Sequence, residues 1–406
     1  MAAAGDDNRA VRVHMVQPIV PHYRVPFYEG VARRTDLSFS LSVSNSVPNM
    51  PRTKDVRGLA VDTEHEFVGL FGGALLWQRG MALPPDLGPG AALVVDGNPR
   101  WLSNYPLILA ARRRGIAVVW WGHLHSVTSN TLRTRIRRSL MGFADMLLVY
   151  TDAEKDDLLL AGCDPARVSA LNNALDDAAI AERSERWQGR PLREFMDRQR
   201  LATRKVLLFC GRLRVTPSTE LEVALRAMPD LIRRDPSYLL VVVGEGPDAT
   251  RLKTLALQLG IADHVRWLGA LYDDEQLAPW FLASRCFVYP GPIGLSLIQA
   301  LGYGLPVITH ANRSQHNPEI AALSDGINGL MFPRGDAAAL ADCVHRACAA
   351  EEFRTALAIA ARETIRTNYS MANMIERFAH AVKTAARGSS RAPRIDAGMH
   401  SSAPRA

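Results

Sequence analysis

The sequence predicts an α/β protein of two doubly wound, Rossmann-like domains facing each other across a cleft. Three observations lead there. Short β-branched and aliphatic runs alternate with helical stretches along almost the whole chain. The alternation lapses once, over a charged, arginine-rich stretch near the middle, and then resumes. The chain has 406 residues, which at roughly 150 residues per domain allows two or three domains. Composition agrees, since 48% hydrophobic and 22% charged residues suit a folded chain and argue against extended disorder.

In the first half the strands are expected at Val11 to Val16, Leu37 to Val43, Ala92 to Val95, Ala117 to Trp121 and Met146 to Tyr150. The unbroken apolar run Ala-Val-Val-Trp-Trp (117–121) is what a strand covered on both faces requires. A helix from Tyr105 to Arg114 is closed by Gly115, as a C-terminal cap. These elements make an N-terminal domain of residues 1–180. Residues 181–204 are charged and read as an interdomain connection. A second series follows at Val206 to Cys210, Tyr238 to Val243, Val265 to Leu268, Cys286 to Tyr289, Pro306 to Thr309 and Gly329 to Phe332. It makes a second domain of residues 205–370, with a terminal helix at 371–386. Residues 387–406 are poor in apolar side chains and read as a disordered tail.

Several function classes drop out. No apolar run approaches the ~20 residues that cross a bilayer. The start, Met1-Ala-Ala-Ala-Gly-Asp-Asp-Asn-Arg, lacks the basic-then-apolar order of a signal peptide, so a cytoplasmic location is expected. The five cysteines are scattered and form no Cys-x-x-Cys pair, against a disulfide framework or structural zinc. A net charge of +7 suits anionic ligands, whether phosphates or a membrane surface. Basic and aromatic residues do not interleave, against nucleic-acid binding. The segment Leu132 to Phe143 places apolar residues at helical spacing among Arg133, Arg135, Arg137 and Arg138. It reads either as a core-packed helix with a solvated face or as a peripheral contact with anionic lipid at the inner face of the membrane.

The segment from Cys286 to Thr309 carries the most chemistry. A buried strand runs into a Pro/Gly turn, a helix starts near Gly294, and a second strand follows Gly304-Leu-Pro. A glycine-rich helix start leaves amides uncovered at the positive end of the helix dipole, which suits a diphosphate. An ordinary βαβ unit with turn-making glycines reads the same way.

The second half resembles the donor domain of family 4 glycosyltransferases with the GT-B fold. The matching stretches are Phe209-Cys-Gly-Arg-Leu213, Val242-Val-Gly-Glu-Gly-Pro247, Val265-Arg-Trp-Leu-Gly269, the run from Gly294 to Val307, Pro318-Glu-Ile320 and Asp325-Gly-Ile-Asn-Gly-Leu330. Looser matches in the first half are Gln17-Pro-Ile-Val-Pro-His-Tyr-Arg24, Trp120-Trp-Gly-His123, Tyr150-Thr-Asp-Ala-Glu154 and Leu171-Asn-Asn-Ala-Leu-Asp176. The resemblance implies transfer of a sugar from a nucleotide-sugar to an acceptor hydroxyl, with retention at the anomeric carbon and no required metal or other cofactor. The acceptor would be a sugar, a lipid-linked glycan or a small molecule.

By that resemblance Arg212 is the diphosphate arginine, with Arg214 as a second cation. Gly244, Gly246, Leu268 and Gly269 shape the nucleotide side. Gly291, Ile293, Gly294, Leu295, Ser296 and Gln299 form the donor loop and helix. His123, Arg212 and Glu319 are the expected catalytic residues, and His22, Tyr23 and Arg24 the acceptor-side ones. Asp176 is expected to cap a cleft loop, and Arg266 to face solvent. Two departures stand out. The family's paired glutamates fall at Gly291 and Gln299, and its lysine at Pro217. A catalytically impaired nucleotide-sugar-binding or partner subunit is therefore the alternative, and an epimerase of the same fold ranks last.

Overall fold

The computed structural model describes residues 10–48, 53–123, 141–214 and 220–388. Its first sheet contains β1 (Val11–Val16), β2 (Leu37–Ser44), β3 (Val61–Leu70), β4 (Leu75–Arg79), β5 (Ala92–Asp96), β6 (Ala117–Trp121), β7 (Met146–Val149) and β8 (Val168–Ala170). Their spatial order is β4-β3-β2-β1-β5-β6-β7-β8, parallel throughout except for the antiparallel pair β3–β4. Helices α1 (Val25–Ala32), α2 (Asn104–Arg113) and α3 (Asp152–Leu160) connect them. Strand β6 is buried at all five positions, as its apolar run requires.

Three of these strands were not expected. Strand β3 alternates acidic and apolar residues, and β8 has only three residues. Strands at or next to a sheet edge and wetted on one face carry little apolar signal. Pairing with β2 ends at Ser44, opposite Glu64 and His65, yet β3 continues to Leu70. At about 3.3 Å per residue the β3–β4 ribbon thus overshoots the carboxyl edge of the sheet by roughly 17 Å.

The charged connection is helical rather than irregular, as α4 (Asp177–Arg186) and α5 (Arg190–Arg198). The Asp176 carboxylate accepts from the Ala179 amide at 3.0 Å and caps α4. The second domain then contains β9 (Lys205–Cys210), β10 (Tyr238–Val243), β11 (Val265–Gly269), β12 (Cys286–Val288), β13 (Val307–His310) and β14 (Gly329–Phe332). They form one parallel sheet in the order β11-β10-β9-β12-β13-β14. Its helices are α6 (Leu221–Arg234), α7 (Ala249–Gln258), α8 (Asp274–Ala283), α9 (Leu295–Gly302), α10 (Ala337–Ala349) and α11 (Glu351–Asn368).

The connection is fastened to this domain. Phe195 meets the Trp280 ring edge-on at 5.0 Å, and Arg183 pairs with Asp274 and Glu275 at 3.2 Å. Arg266, expected to face solvent, instead donates to the Gln199 carbonyl at 2.8 Å and lies 6.0 Å over Trp280. Its half-buried stem covers apolar surface while the guanidinium finds a carbonyl.

The last helix, α12 (Met371–Gly388), returns to the first domain. Met374, Phe378, Ala381 and Val382 pack into the same core as Phe27, Val31 and Trp121, and the Phe27 and Phe378 rings meet at 5.3 Å. Lys383 closes the contact on Asp36 at 2.5 Å. The first domain's core is therefore built from both ends of the chain. Arg387 and Gly388 belong to this helix, and the remainder of the expected tail lies outside the described residues. So does most of the basic segment 132–143. No helix among the described residues is long and apolar enough to cross a membrane.

Candidate functional site

The carboxyl ends of β9, β10 and β11 lie side by side, and their loops are laced by backbone bonds. Gly211 N–H donates to the Val243 carbonyl at 3.0 Å, Leu213 N–H to Glu245 at 2.9 Å, and Gly244 N–H to Gly269 at 2.7 Å. This closeness is possible only without side chains. A Cβ on Gly244, whose φ is +139°, would stand 1.9 Å from the Gly211 carbonyl oxygen, and one on Gly246 1.9 Å from that of Leu213. Gly244→Ala is expected to cost about 1–3 kcal/mol by overpacking. Calorimetry checks this, and a variant melting like wild type would mean the loops separate freely.

Held on this platform, Arg212 and Arg214 are exposed, and neither forms a hydrogen bond or ion pair among the described residues. Leu268 and Gly269 end the neighbouring strand β11. Next to β9, strand β12 runs through Tyr289 to Ile293 into α9, whose N-cap is Gly294. No side chain caps this helix end, and its first turn holds no acidic residue. The first amides and the helix dipole are therefore available to an anion. Gly291 and Ile293 are buried in the turn, whereas Leu295, Ser296 and Gln299 are partly exposed.

On the opposite side, His22 to Arg24 form a short 3-10 turn before α1. His22 is exposed and Tyr23 half-buried, but Arg24 is only 6% exposed. Arg24 lies 5.3 Å over the Trp121 ring and 5.5 Å over Tyr23, donates to Met374 Sδ at 3.4 Å, and donates to Asn173 Oδ1. The Asn173 amide in turn donates to Glu319 Oε1 at 2.6 Å. Glu319 is 4% exposed, so Asn173 joins a buried cation of one domain to a buried carboxylate of the other. Arg24 and Glu319 were expected to face the substrate. The structure instead encloses both, because each finds its hydrogen-bond partner in the interdomain bridge.

His123 follows β6 and is exposed; its ring lies 4.1 Å from that of Tyr150, with Nδ1 4.0 Å from Glu154 Oε1. The other Glu154 oxygen accepts from the Tyr150 amide at 2.9 Å. Asp96, at the carboxyl end of β5, was not singled out by sequence. Its Oδ1 accepts from the Asn98 amide at 2.7 Å, yet burial pushes its carboxyl up to about 6. Asp96, Arg24 and Glu319 all act electrostatically on the Tyr150 phenol, which burial has already raised. The legible signal was an Asp directly after an apolar strand run, at a domain's ligand-binding edge.

The arrangement thus gathers Arg212, Arg214, the Gly244–Gly246 turn, Gly269 and the start of α9 on one side of the cleft. Tyr23, Asp96, His123 and Tyr150 stand on the other. Among the described residues no group of His, Cys, Asp and Glu gathers in a form that could hold a metal ion.

Residues 193–364 match the family described as "Glycosyl transferases group 1". The chain is 31% identical over 277 residues to D-inositol 3-phosphate glycosyltransferase 2 of Catenulispora acidiphila, covering 61% of this chain and 62% of that protein. Over 183 residues it is 28% identical to the GDP-mannose-dependent alpha-(1-6)-phosphatidylinositol monomannoside mannosyltransferase of Mycolicibacterium smegmatis, with 43% and 46% covered. Among solved structures, Anabaena HepE in complex with UDP superposes with a TM-score of 0.65 at 14% identity, covering 91% of this chain and 98% of that one. The likeness to HepE spans both domains and shows the two-domain GT-B architecture.

Proposed function

We propose that the protein is a retaining glycosyltransferase of the family 4 type, moving a sugar from a nucleoside diphosphate-sugar to an acceptor hydroxyl. The observation that carries this reading is the uncapped start of α9 beside the arginine-bearing loop after β9. Transfer leaves negative charge on the departing diphosphate. Preorganised amides of Gly294 to Ser296, with the Arg212 guanidinium, stabilise that charge as it develops. Gln299 hydrogen-bonds the ribose in place of a carboxylate, using both halves of its amide. Gly291 offers no side chain, so sugar hydroxyls are met by backbone groups of the turn.

Retention requires the acceptor to attack from the face the diphosphate leaves. The acceptor therefore enters between the two sets of loops, on the side of Tyr23, Asp96 and His123. Aromatic rings there suit the apolar face of a sugar or cyclitol, and closure of the domains expels water. The reading needs no metal. It places the protein in the cytoplasm or at the inner membrane surface, working on a sugar, lipid-linked or small-molecule acceptor. Gly291 favours one other reading, a nucleotide-sugar-binding subunit without turnover.

UDP, GDP or ADP, added with EDTA, is expected to stabilise the protein; at a hundred times Kd the gain is about 2.7 kcal/mol. Scanning calorimetry reads it, and indifference to all three would sink the transfer reading. Slow hydrolysis of the matching nucleotide-sugar then separates an enzyme from a binding subunit.

A further inference from the structure

The turn that presents α9 is held from the segment that follows β13. Asn317 uses both its backbone N–H, at 3.0 Å, and its side-chain amide, at 3.2 Å, to bind the Ile293 carbonyl. The Ile293 N–H donates to His316 Nδ1 at 3.1 Å. His316 Nε2 lies 2.8 Å from the His310 carbonyl oxygen, which can only accept. These partners settle the tautomer, with the proton on Nε2 and a lone pair on Nδ1. The ring is 6% exposed and stacks on that of His310 at 3.8 Å.

We infer that His316 is the positioning residue of the donor turn: it clamps the Ile293 amide and so sets where the first amides of α9 point. The inference rests on the reading of that helix end as the diphosphate seat. Protonation of Nδ1 would remove the acceptor and set two N–H groups against each other. The titratable and charged groups around the ring are Arg313 in its own turn, the His310 imidazole on β13, and Glu220 at the start of α6. Glu220 is bound by Arg334 at 2.9 Å, so it is already committed. Burial lowers His316 to about 4, against the opposing pull of its bond to the His310 carbonyl, and Arg313 adds to the lowering.

The sign follows. An unfolded histidine titrates near 6.5 and the folded one lower, so below about pH 6.5 the unfolded state binds more protons. The stability this difference contributes is complete above that value and is lost as pH falls towards 4, whereas in the folded protein the clamp itself opens only near pH 4.

His316→Phe keeps the stacked ring and removes both bonds, whereas His316→Gln can restore an acceptor and a donor. Amide protection over residues 290–296 is measured without nucleotide, and UDP affinity by calorimetry, each at about pH 7.5 and about pH 4, where the folded ring is half protonated. The Phe variant should exchange about tenfold faster and bind UDP about tenfold more weakly, the equivalent of one hydrogen bond. The Gln variant should recover part of this, and the acid-induced loss seen in wild type should vanish in the Phe variant. Unchanged exchange in the Phe variant, or in the Gln variant wild-type loss at acid pH, overturns the inference. Faster exchange in a protein that binds none of UDP, GDP and ADP upholds the clamp while refuting glycosyl transfer.

Discussion

Arg212→Ala is expected to abolish the thermal stabilisation that a nucleoside diphosphate gives the wild-type protein. The residues on either side, Gly211 and Leu213, are bonded through their amides to Val243 and Glu245, so truncation leaves the loop in place. Arg212 itself is exposed, and its removal leaves no buried partner unsatisfied. The nucleotide-free melting temperature should therefore stay within about a degree of wild type, as for surface changes generally. Two charge-assisted bonds to phosphate oxygens contribute about 3 kcal/mol, so affinity should fall roughly a hundredfold. Arg212→Lys retains the charge without the planar fork and should fall between the two. Titration calorimetry with UDP or GDP reads all three, and an undiminished affinity in the alanine variant would strip Arg212 of its role.

The largest loss of stability is expected from Asn173→Leu. Asn173 is buried and satisfies Arg24 on one side and Glu319 on the other. Its replacement strands two enclosed charges at once. Breaking a buried charged network in this way costs about 3–5 kcal/mol. At roughly 2–4 °C per kcal/mol, the melting temperature should drop by at least several degrees. The two domains should also unfold in separate calorimetric transitions, since the bridge joins them. Adding Arg24→Met and Glu319→Gln to the leucine variant removes both charges and should restore part of the loss. A leucine variant as stable as wild type would mean that water, rather than Asn173, keeps these charges satisfied.

Strands β6, β10 and β14 coincide with the apolar runs that predict them, because strands covered on both faces leave an unmistakable apolar signature. The units expected to hold the donor were legible for a related reason. Arg212, Gly244, Gly246 and the run from Gly291 to Gln299 lie within single strand–loop–helix units, so sequence spacing and spatial neighbourhood nearly coincide. The ribbon β3–β4 was not, since it is solvated along one face and carries Asp62, Glu64 and Glu66 among its apolar residues.

The acceptor side shows what local pattern cannot supply. Arg24 looked like a cleft cation because it follows a strand-to-helix loop, yet it bonds to Met374, 350 residues away. Glu319 looked like a catalytic carboxylate, yet it belongs to the bridge with Asn173. His316 had no motif at all. Residue order by itself determined the two α/β domains and the glycine-led start of α9, since these follow from local periodicity and glycine placement. Only the tertiary structure decided which polar side chains face the cleft and which are enclosed. Burial depends on segments far apart in the chain coming together, and it is burial that turns a charge from a reagent into a structural bond.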